Sequence, residues 1–510
     1  MRKLITTLAF LAVIALPFAP PVHAQENLLK DFEGKVTEFT LDNGYTFLVI
    51  ERHEAPVASM VSFVNVGGAN EPVGHTGMAH IFEHMAFKGT PKIGTSNWDK
   101  EKKLLQKTDK TYQKWLSEKY SPQPDSAKMD KLWDEFKSLQ EEAGQYVVNN
   151  QYSQIIQRNG GTGLNAGTSY DQTVFFYDLP ENRVELWFSL ESVRFKHPVF
   201  REFYKEKNVI REERRMRVES TPVGRLLEEF GSVAYTASPY GRSLVGWPSD
   251  IIATTMEDTY DFFDEYYVPE NITFAIAGDV DPNQIKEWAE TYFGDVPSAP
   301  APPPIYTKEP EQRGPRKVTL IGQSQPIFLM GFHTVSDKNP DSEALQLLSS
   351  ILSGGRTSIL YKKMVEDEQT ALQVQAINGY PGTKLQTMFL TLAVPNQGVS
   401  LDAMRSSILE EIEKIKNGDI PKAALKRART QARANLIRSL DSNSGLARAL
   451  AAAQAQKGDW RAVFTKIQDL QDVTVADIQR VANKYLVKSN RTIGVIKNEA
   501  NMEEADHDNQ

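Results

Sequence analysis

The chain repeats itself, and the repeat constrains its architecture more than any other feature. Thr255-Met-Glu-Asp258 through Tyr266-Tyr-Val268-Pro-Glu-Asn271-Ile-Thr273 matches Thr474-Val-Ala-Asp477 through Tyr485-Leu-Val487-Lys-Ser-Asn490-Arg-Thr492, and every matched pair lies 219 residues apart. Each unit reads as a helix capped by Thr-x-x-Asp, then a turn and a strand. Ser298-Ala-Pro-Ala-Pro-Pro-Pro304, running on to Gly314-Pro315, reads as a semi-rigid linker. A chain of 510 residues is long enough for two or more cores. The pattern predicts a first domain over 25–296, a linker over 297–315, a second domain over 316–498 and an acidic tail over 499–510.

The first domain opens with a predicted hairpin. Val36–Leu41 and Tyr45–Ile50 alternate around the turn Asp42-Asn43-Gly44. Val57 to Val66 reads as another strand, ending at Gly67-Gly68. Residues 97–147 are dense in Lys, Asp, Glu and Gln, with Leu104, Leu105, Tyr112, Trp115 and Leu116 at helical spacing. Met129, Leu132, Trp133, Phe136 and Leu139 repeat that spacing after the break at Ser121-Pro122-Gln123-Pro124-Asp125. These residues are predicted to form two amphipathic helices in a hairpin, with the charge as a solvated face.

Between the third predicted strand and the predicted helical hairpin lies Gly77-Met-Ala-His80-Ile-Phe-Glu83-His84-Met-Ala-Phe-Lys-Gly89, read as a helix ending at Gly89. At 3.6 residues per turn, His80 and His84 share a face and both reach one tetrahedral metal ion. Glu83 stands beside them, placed to take a proton from a water the metal activates. H-x-x-E-H is the inverse of the commoner H-E-x-x-H zinc helix. A site with two His needs a third protein ligand. The helix Phe203–Met216 offers Glu206 and Glu213, seven residues apart on one face, and spacing alone does not rank them. In the second domain, setting Gly354 against Gly89 places Leu345, Leu348 and Ser349 where His80, Glu83 and His84 stand. The offset there is 265, which exceeds 219 by 46, about the length of the charged hairpin. The hairpin is therefore read as an insertion in the first domain, and the second domain as unable to bind the metal.

Net charge is -8 and pI is about 5.7, which excludes a nucleic-acid polyanion as an expected partner. Arg2 and Lys3, the apolar run Leu4–Phe18 and Val22-His23-Ala24 read as a signal peptide over 1–24, cleaved after Ala24. The run is short for a membrane span. With no Cys, disulfides and thiolate ligands are excluded, and a periplasmic or secreted location is expected.

On His80-Ile-Phe-Glu83-His84, Asn165-Ala166 and Glu206-to-Glu213, the chain resembles the pitrilysin/insulysin family of zinc peptidases, in its processing-peptidase-like branch. The resemblance implies an α+β fold of two homologous two-layer α/β domains, each a mainly antiparallel sheet covered by helices. Two such two-domain halves close around a chamber. It implies Glu213 as the third zinc ligand, Glu206 as the carboxylate supporting it, and Asn165 and Ala166 on an edge strand that takes substrate backbone as an added strand. Family members also carry an Arg and a Tyr seven residues apart in the second domain, which bind the substrate carbonyl and the developing oxyanion. Here those positions hold Val365 and Leu372, and neither donates; Arg356, Tyr361 and Lys362 stand at other spacings.

The reading is a Zn2+-dependent endopeptidase with one zinc per chain, acting on peptides or unfolded segments. It is the zinc-bearing subunit of a heterodimer whose zinc-less homologous partner supplies the Arg/Tyr pair. The rival readings are a non-catalytic structural or peptide-binding subunit and a self-sufficient homodimer. Two His and a Glu also suit Mn or Co.

Overall fold

A computed structural model describes residues 34–498. The signal peptide and the acidic tail expected from the sequence lie outside the described residues. Among the described residues, no helix is long and apolar enough to cross a membrane.

Two sheets organise the chain. The first contains β1 (Val36–Thr40), β2 (Thr46–Glu51), β3 (Val57–Val64), β4 (Thr162–Thr168), β5 (Thr173–Pro180) and β6 (Ile272–Gly278), in the order β1-β2-β6-β3-β5-β4. The second contains β7 (Arg316–Gly322), β8 (Ile327–His333), β9 (Ala371–Tyr380), β10 (Met388–Pro395) and β11 (Arg491–Asn498), in the order β7-β11-β8-β10-β9. With β1 set aside, the two orders are the same. In each, the last strand in sequence pairs parallel with the first, β6 with β2 and β11 with β7, and the other pairings are antiparallel.

Helices of the first half follow the chain. They are α1 (Met78–Met85), α2 (Trp98–Lys119), α3 (Ser126–Gly144), α4 (Gln151–Arg158), α5 (Val184–Lys196), α6 (Phe203–Arg214), α7 (Pro222–Ala234), α8 (Pro248–Ala253), α9 (Met256–Tyr266) and α10 (Pro282–Phe293). The second half adds α11 (Ser342–Ser353), α12 (Leu401–Lys416), α13 (Lys422–Ser439), α14 (Asn443–Lys457), α15 (Ala462–Asp472) and α16 (Val475–Tyr485). The repeated caps form as the sequence dictates: Thr255 with Asp258 opens α9, and Thr474 with Asp477 opens α16, each as a reciprocal capping box.

Every residue of β6 is buried, so its sheet is covered on both faces. One face packs on the first half's own helices through Phe47, Phe274, Trp187 and Phe293. The other face, Leu48, Ile50, Val61, Phe63, Ala275 and Ala277, is covered by Leu446, Leu450 and Ala451 of α14 from the second half. The second sheet is treated reciprocally. Leu329, Leu390 and Ile496 pack on Leu226 and Phe230 of α7 from the first half. The α7 and α14 helices are themselves repeat-related, so each half lends one helix to the other's sheet. Burying both apolar faces in this way clamps the halves together.

The charged hairpin forms as α2 and α3, stacked through Trp115, Trp133, Tyr112 and Phe136. Its root is fixed by a buried ion pair, Glu101 with Arg201 at 2.9 Å. Arg201 also takes the carbonyls of Lys88, Thr90 and Ile93. Those contacts hold the chain after α1 in a loop, so the helix stops at Met85, short of the expected Gly89. The linker does not run free: Glu309 is buried and accepts the backbone N–H groups of Thr236, Ala237 and Ser238.

Candidate metal centre

The α1 helix is short and begins without a side-chain cap of its own. The carboxylate of Glu71, six residues ahead of Gly77, replaces the cap. It accepts the N–H of Gly77 at 2.8 Å and of Ala79 at 2.9 Å. Burial pushes this carboxyl up to about 8, against the pull of the two backbone bonds. Phe82 anchors the opposite face of α1 against Phe200, Phe263 and Tyr267. That leaves His80 and His84 facing α6, and Glu83 turned to the Thr168 hydroxyl of β4.

The structure brings together His80, His84 and Glu213. Oε2 of Glu213 lies 3.6 Å from Nε2 of His80 and 3.5 Å from Nε2 of His84. The three candidate ligand atoms fall within 4.8 Å of one another, and no other such group occurs among the described residues. Ligands bound at about 2.0–2.2 Å around a tetrahedral zinc stand roughly 3.3–3.5 Å apart, so this spacing fits an ion at the centre. The donor chemistry fits too. Burial, with the neighbouring His84, lowers the His80 ring to about 4, which leaves its lone pair free at neutral pH. Burial opposes charge on His84 as well, but Glu206, Glu83 and Glu213 win and raise it.

Glu206 takes a different place from Glu213. Its Oε2 faces Nδ1 of His84 at 3.4 Å, the nitrogen turned away from Glu213. Lys88 bridges Glu206 and Glu202. Burial would raise the Glu206 carboxyl, but His84 and Lys88 hold it down to about 2, so it stays an acceptor that orients the ring. Arg217 reaches the other oxygen of Glu213, Oε1, at 2.8 Å. Glu83 accepts a hydrogen bond from the Thr168 hydroxyl at 2.6 Å, and burial raises its carboxyl above the ordinary value.

A cleft of about 410 Å³ opens beside the cluster, lined by Glu83, His84, Phe87, Leu164, Asn165 and Ala166. Asn165 and Ala166 lie on β4, which among the described residues pairs only with β5 and so presents a free edge to the cleft. Val365 sits in a helical turn over 361–367, packed on the second core, and Leu372 points outward from β9, 54% exposed. None of Arg356, Tyr361 and Lys362 lines the cleft. Sequence reasoning gave no role to Glu71 or Thr168. Thr168 acts across 85 residues, where no local spacing marks it, and Glu71 caps α1 from a loop six residues ahead of Gly77, outside the N-cap position that a sequence pattern marks.

Comparison with known proteins agrees with this picture. Residues 46–120 match the insulinase (peptidase family M16) family and residues 253–432 match the peptidase M16 inactive domain. The chain is 27% identical, over 95% of its length and 97% of the relative's, to the zinc protease PqqE of Helicobacter pylori. It is 23% identical to a mitochondrial-processing peptidase subunit beta of Lentinula edodes, over 89% of this chain and 88% of that one. The crystal structure of a protease from Helicobacter pylori superposes with a TM-score of 0.75 at 26% identity, covering 91% of this chain and 99% of the other. The chain is thus built of insulinase-family, peptidase M16 domains. Several of its relatives are named zinc proteases, and its mixed α/β architecture is that of the family.

Proposed function

We propose that this chain is a zinc-dependent endopeptidase with Glu83 as general base. The observation that carries the reading is the convergence of His80, His84 and Glu213 beside a cleft that also holds Glu83 and an open strand edge. His80, His84 and Glu213 would hold the ion, and Glu206 would keep the His84 ring in place. When bound, zinc supplies Lewis acidity that brings the pKa of water from 15.7 toward ~7 and polarises the scissile carbonyl. The remaining work falls to the chain. The free edge of β4 at Asn165 and Ala166 aligns an extended peptide by backbone hydrogen bonds. Glu83, its carboxyl raised by burial, takes the proton of the attacking water and returns it to the leaving amine.

The subunit arrangement is part of the same proposal. Val365 and Leu372 offer no hydrogen-bond donor for the oxyanion, which supports a homologous partner subunit that brings an Arg and a Tyr to the cleft. The leader over 1–24 supports export to the periplasm or beyond, and sequencing the N-terminus of the protein recovered from cells checks cleavage after Ala24. Glu83→Gln tests the chemistry. Zinc content is expected to be unchanged, while hydrolysis of fluorogenic peptides falls by roughly 10²–10⁴-fold. A Glu83→Gln protein that cleaves at the wild-type rate contradicts the role.

A further inference from the structure

The turn between β4 and β5, residues 169–172, is gripped from both halves. On the first-half side, Gly68 N–H donates to Ser169 O at 3.0 Å and Ala69 N–H to Tyr170 O at 2.9 Å. The approach is so close that a Cβ at Gly67 would stand 2.2 Å from Ser169 O. This same loop carries Glu71, the cap of α1. From the second half, the loop between β9 and β10 reaches across. Oδ2 of Asp171 accepts Thr383 N–H at 2.7 Å and Lys384 N–H at 3.2 Å from that loop, while Oδ1 accepts the hydroxyl of Tyr240 from the first half. A Cβ at Gly382 would stand 2.6 Å from Oδ2 of Asp171, so the contact needs glycine there. Lys384 also donates to Asn65, and Gln456 of α14 donates to Gln172. Asp171 is 6% exposed, and all its partners are protein groups that fix its position.

Thr168 is the last residue before this turn, and its hydroxyl donates to Oε2 of Glu83 at 2.6 Å. We propose that Thr168 is the positioning residue of the general base, and that Asp171, held by the half without metal ligands, fixes the strand end from which Thr168 acts. The bond from Thr168 engages one carboxylate oxygen and leaves the other for the attacking water. Because Thr168 ends the strand whose edge borders the cleft, the docked peptide and the base share one rigid frame. The second half thus contributes to the reaction without touching the substrate. The inference rests on Glu83 acting as general base.

Four variants of the full chain separate the possibilities: Thr168→Val, Thr168→Ser, Asp171→Asn and Glu83→Gln. Thr168→Val is expected to lower kcat by roughly 10–100-fold with KM within about twofold, because the base is misplaced while the strand edge is intact. Zinc content is unchanged. Thr168→Ser, which keeps the hydroxyl, recovers kcat to within about threefold, and Asp171→Asn lowers kcat less than Thr168→Val does. A Thr168→Val protein with wild-type kcat, or with a defect confined to KM or to zinc content, overturns the inference. If Glu83→Gln cleaves as the wild type does, the reading of the base fails instead. Thermal melts give a readout without turnover. Thr168→Val is expected to shift Tm in the wild type but not in a Glu83→Ala background, whereas equal shifts in both mean that Thr168 does not act through Glu83.

Discussion

The two halves share one strand order, β1 apart, and differ most at one pair of helices. In the first half, α1 turns His80 and His84 toward Glu206 and Glu213 of α6, and Glu83 toward Thr168 of β4. In the second half, α11 turns Leu345 and Leu348 into a buried core against α13. Glu206 and Glu213, shifted by the repeat of 219 residues, fall on Leu425 and Ala432 of α13, and both belong to that core. One pair of helices has thus been kept as scaffold twice and given a polar interior once. The strand edges differ as well. The edge of β4 is open beside the cleft, while on β9 the backbone N–H and C=O of Ala376 both bond to the Ser353 hydroxyl. Unpaired edges invite other chains, so the open edge of β4 is available beside the cleft where that of β9 is engaged at Ala376. The difference teaches that the second half is a framework. It covers the first sheet with α14, engages its own edge at Ala376 and grips the turn at Asp171.

The comparison is broken or sharpened by equivalent substitutions. His84→Ala and Glu213→Gln are expected to lose both zinc and hydrolysis, read by elemental analysis and peptide assay, because too few ligands remain for the ion. At the matching place in the second half, Leu345→Ala is expected to leave the zinc content of the folded protein unchanged and to destabilise it by about 2–5 kcal/mol in a denaturant titration. A result in which Leu345→Ala removes zinc while stability is untouched would contradict the division of roles. Ser353→Ala leaves both backbone groups of Ala376 without this partner, with an expected cost of about 1–3 kcal/mol in the same titration.

The smallest effect expected is one of pH. Asp341, at the start of α11, accepts from Arg480, Lys484 and Tyr485. Burial works against its charge, but these bonds hold its carboxyl down to about 2. A depressed carboxylate stabilises the fold above its unfolded value of about 3.9, and that contribution is lost as pH falls toward the folded one. Asp341→Asn is therefore expected to flatten the fall of Tm between about pH 4 and pH 2, with little change in the zinc content measured at neutral pH.

Much of this was legible in the chain because its signals are periodic. The 219-residue offset gave two domains, and the i,i+4 spacing put His80 and His84 on one face. The hairpin was legible from apolar spacing on either side of Pro122 and Pro124. The Glu pair was not separable by spacing, since two turns of helix bring both onto one face. Only the fold reveals that Glu213 meets the Nε2 atoms while Glu206 meets Nδ1 of His84. The exchange of α7 and α14 was invisible for a related reason: a repeat tells which helices are equivalent, not which sheet each covers. Thr168 and Asp171 act through contacts between segments far apart in the chain, where no local pattern exists to read, and Glu71 caps α1 from a loop position that no helix-cap pattern marks.

The most direct measurement is the zinc content of the purified chain, wild type and His84→Ala, by elemental analysis. The account predicts about one zinc per chain in the wild type and close to none in the variant, with the fold intact by circular dichroism. Zinc retained at the wild-type level by His84→Ala, or a wild-type chain that takes up none when zinc is supplied, would contradict it.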